Sequence, residues 1–195
     1  QIADVFPLFS TNRRHDMYFT PDDQRAASGQ TYIPLLEQYP ELQYIRLVTM
    51  ADNRSIYFLS FLEGPMNNFG IYRSEYIDGI YTKPEPLPPS INTPPFLNWT
   101  PFIAPDESYL LFSSNRRAPG VDWGDLFISY RFDDGTWSDP IILGDDINTP
   151  GQERFPVLSP DGKYLFFTRP TEEGNQDVFW ADAKSIKALH SSDQQ

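Results

Sequence analysis

The sequence contains no cysteine and only two histidines, His15 and His190. Without thiols the chain can form no disulfide, no thiolate nucleophile and no cysteine-ligated zinc site. Two histidines are too few for a multi-histidine metal site. The Gly-x-Ser-x-Gly pattern of a nucleophile elbow is also missing, which disfavours serine-hydrolase chemistry. We therefore predict no metal site and no cofactor.

Basic residues are few and long apolar runs are missing. No apolar run approaches the roughly 18 residues that a membrane-spanning helix needs, so we predict no membrane insertion. The chain has 15 Lys and Arg against 27 Asp and Glu, which gives a formal net charge of −12. This charge repels phosphate backbones, so we predict that nucleic acid is not a partner. The start at Gln1 without an initiating Met predicts a processed or trimmed product.

Aromatic residues and prolines, in contrast, are abundant. Phe, Tyr and Trp make up 15% of the chain, and its 19 Pro and 11 Gly are spread out rather than gathered in one tract. This composition argues against disorder and favours packed sheets separated by turns. At 195 residues the chain is long enough for one domain with its own core.

An internal repeat of about 54 residues organises the sequence. Asp52, Asp106 and Asp161 mark matching positions in three successive copies. The motif Ile-Asn-Thr-Pro at 91–94 recurs at 147–150 with a similar step. The best-matched segments are 50–58, 104–112 and 159–167. Several landmarks that share one period indicate a repeated structural unit.

Each repeat is predicted to form four short antiparallel strands. In the second repeat, the stretch 109–113 is apolar without alternation, which predicts a strand buried on both faces. Asp134 and Gly135 predict a tight hairpin turn, because Gly adopts positive φ without strain. The four strands expected in this repeat are 99–104, 109–113, 126–132 and 137–143.

Stacked sheets of this kind predict an all-β protein with a β-propeller fold made of four-stranded blades. We expect Phe112 and Phe167 to be buried between neighbouring blades. Residues 31–42 interrupt the pattern and predict a short helix or an ordered loop. A β-sandwich is the alternative, disfavoured because sandwich strands usually alternate apolar and polar residues. The predicted units are blades near 43–95, 98–150 and 153–186, a degenerate repeat at 3–20 and a polar tail at 187–195.

The segment Ser-Pro-Asp-Gly-Lys-Tyr-Leu-Phe-Phe at 159–167 resembles the PD40 repeat of TolB and related envelope propellers. Asp-Leu-Phe at 125–127 and Asp-Val-Phe at 177–179 are similar to the Asp-Ile-Tyr element of that repeat. The resemblance covers residues 43–186 and, more weakly, 3–20. It implies a TolB-like, WD40-like propeller, commonly six-bladed, in the bacterial periplasm or outside the cell. Because the chain holds only about three and a half repeats, we expect part of a larger propeller.

The acids that recur in each repeat have structural interpretations. Asp106 and Asp161 lie inside turns, where a carboxylate caps backbone N–H groups. The first repeat departs from the family pattern, because Asn53 replaces Gly and Gly70 replaces Asp. Acids at the start of third strands are expected to pair with arginines at the end of second strands: Asp125 with Arg116, and Asp177 with Arg169. A ligand-binding or calcium-binding role of these acids is the alternative.

Candidate ligand-binding residues lie at the starts of first strands and in one long loop. First strands lie nearest the axis of a propeller, and their starts differ between repeats, which favours a ligand-specific role. The loop at 115–124 carries an aromatic residue and charges of both signs, which suits a peptide or a glycan. For the two tryptophans, packing between blades is the alternative. The candidates are Asn98, Trp99, Glu153, Arg154, Arg116, Arg117, Asp122 and Trp123.

These observations predict a non-catalytic binding or scaffold module of the bacterial cell envelope or secreted space, recognising protein or glycan. No catalytic residue is predicted. One alternative is a carbohydrate-active enzyme, a glycoside hydrolase or lyase, with axial carboxylates such as Glu153. Another is an accessory propeller of a larger envelope protein or peptidase. The fold hosts all of these functions, so the repeat alone does not choose between them.

Overall fold

In a computed structural model the chain is an all-β protein built from short antiparallel sheets. The structure describes residues 17–19, 31–33, 35–42, 45–61, 70–117, 124–184 and 186. None of the helical residues among these forms a helix long and apolar enough to cross a membrane. In chain order the elements are β1 (Met17–Phe19), β2 (Thr31–Ile33), α1 (Leu35–Gln38), β3 (Arg46–Met50), β4 (Ile56–Ser60), β5 (Gly70–Ser74), β6 (Tyr76–Ile77), β7 (Ile80–Tyr81), β8 (Glu85–Pro86), β9 (Asn98–Ile103), β10 (Tyr109–Ser114), β11 (Asp125–Tyr130), β12 (Ile141–Ile142), β13 (Arg154–Leu158), β14 (Tyr164–Pro170) and β15 (Gln176–Asp182).

Three sheets repeat the same antiparallel meander. The first sheet contains β3, β4, β5 and β8, the second contains β9 to β12, and the third contains β13 to β15. The first strands β3 and β13 each lie against β9, the first strand of the second sheet, so successive sheets are neighbours along their first strands. The predicted all-β repeat of antiparallel sheets is confirmed, while the described sheets do not close into a ring.

The outer strands are shorter than the sequence predicts. In the second sheet β12 spans only Ile141–Ile142, and Trp137 forms an isolated bridge with Arg131 instead of starting a long strand. Pro140 lies just before β12 and has no N–H to donate to a ladder. In the third sheet three strands are described between 153 and 182, where four were expected. The predicted tail at 187–195 lies outside the described residues.

The region 31–42 contains both a strand and a helix. Thr31–Ile33 pairs with Met17–Phe19, and Leu35–Gln38 forms a single helical turn. The prediction of a short helix or loop was therefore right for the second half of this region and wrong for the first. Of the degenerate repeat at 3–20, the described residues are those of β1.

The turns between first and second strands confirm the capping role of the recurrent acids. Asp106 Oδ1 accepts a hydrogen bond from Ser108 N at 3.0 Å, and Asp161 Oδ1 accepts one from Lys163 N at 3.2 Å. In the first repeat this role belongs to Asn53, whose Oδ1 accepts from Ser55 N at 2.9 Å. The alignment of Asp52 with the other two acids was therefore wrong by one position within the turn.

The first strand of each of the three repeated sheets carries a bulge at an equivalent position. Leu47, Thr100 and Phe155 have φ values of 54°, 48° and 53°, which lie in the left-handed region. The pairing of each first strand with its second strand shifts register at this point. Residues with a Cβ are uncommon there. Three occurrences at one position indicate that the fold imposes the bulge, which increases the local twist of the strand.

The core lies between successive sheets. A phenylalanine of each second strand stacks on an aromatic residue of the adjoining third strand, with ring centroids 6.2–6.3 Å apart. Phe112 is fully buried among residues of the first and second sheets. Phe167 is 2% exposed and packs among residues of the second and third sheets. The predicted burial of both side chains between neighbouring sheets is confirmed. The stacked pairs are Phe58 with Tyr72, Phe112 with Phe127, and Phe167 with Phe179.

The Ile-Asn-Thr-Pro motif fastens each crossing segment to the sheet that it leaves. Asn148 Oδ1 accepts from Leu126 N at 2.7 Å, and its Nδ2 donates to Leu126 O and Leu143 O at 3.0 and 2.7 Å. Asn92 makes the same three bonds in the preceding repeat. Ile147, the isoleucine of the second copy, is 1% exposed and belongs to the core. The motif therefore recurs because its asparagine joins the third strand to the crossing segment.

Candidate functional site

A row of buried polar side chains crosses one end of the second sheet. Asn98, Ser114 and Asp125 are cross-strand partners on β9, β10 and β11. Glu153 continues the row, because its backbone N–H donates to Gly124 O at 3.2 Å. All four side chains are buried, with Glu153 completely inaccessible. Two of the predicted ligand-binding residues, Asn98 and Glu153, thus lie in the interior.

Asn98 and Glu153 each contact the crossing segment that precedes their own strand. Asn98 Nδ2 donates to Ile91 O at 2.9 Å. Glu153 Oε1 accepts from Thr149 Oγ1 at 2.6 Å and lies 3.2 Å from Arg169 Nε. The two equivalent positions differ in residue type because the groups that they meet differ. These contacts supply a structural role for both side chains.

The expected pairing of acids and arginines within each repeat is wrong. Asp125 meets Arg117, with Nη2 to Oδ1 at 2.9 Å, instead of Arg116. Arg169 meets Glu153 instead of Asp177, whose side chain is exposed. Arg116 and Arg169 both donate to carbonyl groups of crossing segments, at Ile91 and Ile147. A guanidinium carries several donors, so these arginines reach across to a neighbouring segment and fix it.

Of the candidate residues at the starts of first strands, Trp99 and Arg154 are the accessible ones. Both are half-buried and lie on the bulged first strands β9 and β13, which contact each other. Arg154 Nη2 donates to Gln152 Oε1. Arg117 is exposed on the loop that follows β10. The remaining predicted residues, Asp122 and Trp123, lie outside the described residues.

Asp125 in this row has a raised pKa. Burial raises the pKa of this carboxyl above its ordinary value of 3.8; the charge of Arg117 opposes that effect and the charge of Glu153 adds to it. A raised folded-state pKa means that folding favours the protonated form. The contribution of Asp125 to stability therefore falls as pH rises from 3.8 through the folded-state pKa.

We expect Asp125→Asn to raise the free energy of unfolding at pH 7 by up to about 1 kcal/mol, because the neutral amide avoids the cost of a buried charge. Arg117 is 44% exposed and can be solvated without its partner. Urea titrations between pH 4 and pH 7 should show the gain growing with pH. Asp177→Asn, at the exposed equivalent position, should have no effect. A loss of stability at pH 7 would show that the Arg117–Asp125 ion pair is net stabilising.

A second site, which sequence reasoning missed, is an open cleft between the first and second sheets. Its volume is about 620 Å³. Cations and acids line it together with hydroxyl groups and prolines. Its lining includes Arg73, Lys83, Glu85, Arg131, Thr136 and Trp137.

Two arginines of this cleft converge on Glu107, which lies behind them. Arg73 Nη2 is 2.8 Å from Glu107 Oε1, and Arg131 Nη1 is 2.9 Å from Glu107 Oε2. Tyr57 donates its hydroxyl to Oε1 at 2.7 Å, and Asn53 donates to Oε2 at 2.8 Å. The carboxylate of the second sheet thereby joins side chains of both sheets. The signal in the sequence was Glu107 itself, which stands where the third repeat has Gly162.

The electrostatics of the cleft favour fixed charges over proton transfer. Burial would raise the pKa of Glu107, but the hydrogen bonds from Tyr57 and Arg73 and the arginine charge outweigh it, so the pKa is lowered. The pKa of Arg73 is raised, because its interactions with Tyr57, Glu107 and Glu75 outweigh the effect of burial. Both groups stay ionised near neutral pH. In the part of the chain that the structure describes, no three His, Cys, Asp or Glu residues come together as metal ligands.

Comparison with known proteins gives no family assignment. No protein-family model matches the chain, and no curated protein matches it at a significant level of sequence similarity.

Proposed function

We propose that the chain is a non-catalytic binding module whose sheets are neighbouring blades of a TolB-like propeller in the bacterial envelope or secreted space. Its ligand is a protein or a glycan, and the ligand site is the cleft between the first and second sheets. The observation that carries this proposal is the open cleft of about 620 Å³ whose two arginines are already held in place by Glu107 behind them.

The cleft suits recognition because its polar groups are preorganised. Arg73 and Arg131 are fixed by Glu107, so they lose little side-chain freedom when a ligand arrives. Lys83 and Glu85 are exposed at the rim and offer opposite charges. Thr136 adds a hydroxyl on the hairpin of the second sheet. Groups of both signs together with hydroxyls match the amide and carboxyl groups of a peptide, or the hydroxyls of a glycan.

The blade assignment rests on the repeated meander and on the contact between inner strands. Each sheet begins with a bulged strand, and the strands β3 and β13 flank β9. Two of the three core clusters among the described residues are each shared by two sheets, as blade packing requires. The resemblance to the PD40 repeat supports the TolB-like assignment and the envelope location.

We expect Lys83→Ala/Glu85→Ala to weaken ligand binding at least about tenfold, a loss of roughly 1.4 kcal/mol, because both rim contacts disappear. Lys83 forms an ion pair with Glu41 at 2.9 Å, but both side chains are exposed and such pairs contribute little to stability, so the fold should be unchanged. Glycan arrays and peptide arrays identify a ligand, and calorimetry then compares the variants. The matched control is Lys163→Ala/Asp145→Ala, which removes one positive and one negative charge from exposed positions away from the cleft.

Unchanged affinity in the Lys83/Glu85 variant would exclude the cleft as the binding site. A loss of binding in Trp99→Ala/Arg154→Ala would then locate the site at the ends of the inner strands. Turnover of a polysaccharide by the purified chain would overturn the non-catalytic assignment.

A carbohydrate-active enzyme is the second candidate, and one observation favours it. Asp125 and Glu153 are two buried carboxylates close enough for the charge of Glu153 to raise the pKa of Asp125. Glycoside hydrolases use such a pair, with one carboxyl kept protonated. Each acid here also meets an arginine, as expected for structural ion pairs. Hydrolysis or elimination of a polysaccharide that Asp125→Asn abolishes would establish this function.

A further inference from the structure

The outward face of the third sheet exposes large apolar side chains. Val178 and Trp180 on β15 are each 65% exposed. Tyr164 on β14 is 42% exposed, and its ring meets that of Trp180 edge-on at 5.2 Å. Exposed aromatic and aliphatic residues gathered on one sheet face mark interaction surfaces more often than isolated ones do.

The same face is covered in the second sheet. The stacked pairs Phe112–Phe127 and Phe167–Phe179 align β11 with β15, so Leu126 and Ile128 correspond to Val178 and Trp180. Leu126 and Ile128 are fully buried against the third sheet. The exposed face of the third sheet is thus equivalent to a packed interface.

The edge of the third sheet formed by β15 is equivalent to strand edges that are paired in the first and second sheets. β11 pairs with β12 at Phe127 and Ile128, and β5 pairs with β8 at the equivalent Tyr72 and Arg73. The corresponding residues of β15 are Phe179 and Trp180. Within the described ranges, β14 is the only strand that pairs with β15. An edge of this kind presents backbone N–H and C=O groups to an incoming strand.

Charge indicates the chemistry of that incoming strand. Asp177 is exposed at the start of β15, and Glu172 and Glu173 are exposed in the turn before it. Asp182 at the other end is ion-paired with Lys184 at 3.2 Å, so the excess of acids lies at the start of the strand. A second copy of this chain would bring the same acids and a formal net charge of −12 to the interface. Like charges opposite one another destabilise strand pairing. A basic strand meets attraction from the acids at the start of β15 instead.

We propose that β15 takes up an extended, basic segment of a partner protein as a fourth strand. Backbone hydrogen bonds form along Asp177–Ala181, apolar side chains of the segment cover Val178 and Trp180, and its Lys or Arg residues meet the flanking acids. This is strand addition to a sheet edge, in which the backbone supplies affinity and alternate side chains supply specificity. The site is separate from the cleft between the first and second sheets.

The test uses the whole chain and a capped ten-residue peptide of alternating Lys and Val. The peptide should bind in calorimetry, which reports on every variant alike, and should slow hydrogen exchange of amides in 176–182. Val178→Glu/Trp180→Glu should raise Kd at least about tenfold. Ile77→Glu/Ile80→Glu, which places the same charges on another exposed hairpin, should leave Kd unchanged. A peptide with Glu in place of Lys should not bind.

Other outcomes overturn the proposal. Absence of peptide binding overturns it. Equal affinities of Val178→Glu/Trp180→Glu and Ile77→Glu/Ile80→Glu for the peptide also overturn it, because the segment then does not use β15. A dimer in light scattering that Val178→Glu/Trp180→Glu dissociates would identify the occupant as a second copy. Slow exchange along β15 in the unliganded chain would show that another part of the same chain already occupies the edge.

Discussion

Phe167→Ala should lower the free energy of unfolding by about 3–5 kcal/mol, which is the usual cost of truncating a buried aromatic side chain. Phe167 is 2% exposed and stacks on Phe179 with ring centroids 6.2 Å apart. The Arg169 guanidinium lies 5.2 Å from the Phe167 ring centroid. Truncation leaves a cavity between the second and third sheets, and neighbouring side chains can fill it only in part.

Equilibrium unfolding in urea measures this loss, and an unchanged m-value would show that the unfolded state is the same. Phe132→Ala is the matched control, because Phe132 is 51% exposed and its truncation should change stability by less than about 0.5 kcal/mol. Equal effects of the two substitutions would refute the packing of Phe167 between sheets. Phe167→Leu should recover much of the loss, since it keeps most of the apolar volume.

The sequence pattern predicted the parts of the fold that local chemistry determines. Apolar runs without alternation identified the buried second strands, and Asp134-Gly135 predicted a turn where Gly135 has a φ of 83°. Turn length was harder to predict. Ala51 N bonds to Ser55 O, whereas Ala104 N bonds to Tyr109 O, so the first turn is one residue shorter. Because Asp and Asn both cap turns, the sequence did not show that Asn53, and not Asp52, is equivalent to Asp106.

Two of the predicted ligand-binding positions lie in the buried polar row, and the cleft was not predicted. Equivalent starts of the inner strands were expected to face a ligand because they carry different residues. Asn98 and Glu153 differ for another reason, since each contacts different groups of its own crossing segment. Such contacts join residues that are several positions apart and depend on the path of the chain. The cleft was missed because Arg73 and Arg131 meet at Glu107 only through the packing of two sheets.

Glu107→Gln should lower the free energy of unfolding by about 3–5 kcal/mol at pH 7, because removing one member of a buried charge network leaves the others uncompensated. The Glu107 side chain is 7% exposed and accepts hydrogen bonds from Tyr57, Arg73, Asn53 and Arg131. A glutamine amide turns one acceptor into a donor that faces other donors. Glu172→Gln, at an exposed position, is the control and should have no effect.

The backbone at Glu107 allows a second substitution that separates charge from conformation. Glu107 has a φ of 60°, and the equivalent Gly162 has a φ of 65°. Both Glu107→Gly and Glu107→Ala remove the carboxylate, but only glycine relieves the left-handed backbone. We expect the glycine variant to be more stable than the alanine variant by about 1 kcal/mol, yet less stable than the native chain.

The pH dependence of this loss identifies the carboxylate as its cause. The folded-state pKa of Glu107 is depressed below its ordinary value of 4.5. Its contribution is therefore complete above about pH 4.5 and is lost as pH falls through the folded-state pKa. The difference between the native chain and Glu107→Gln should shrink over that range. A difference that stays constant from pH 7 down to the lowest pH at which the native chain is folded would assign the loss to packing. Equal stability of the two proteins at pH 7 would show that Glu107 does not hold the first and second sheets together.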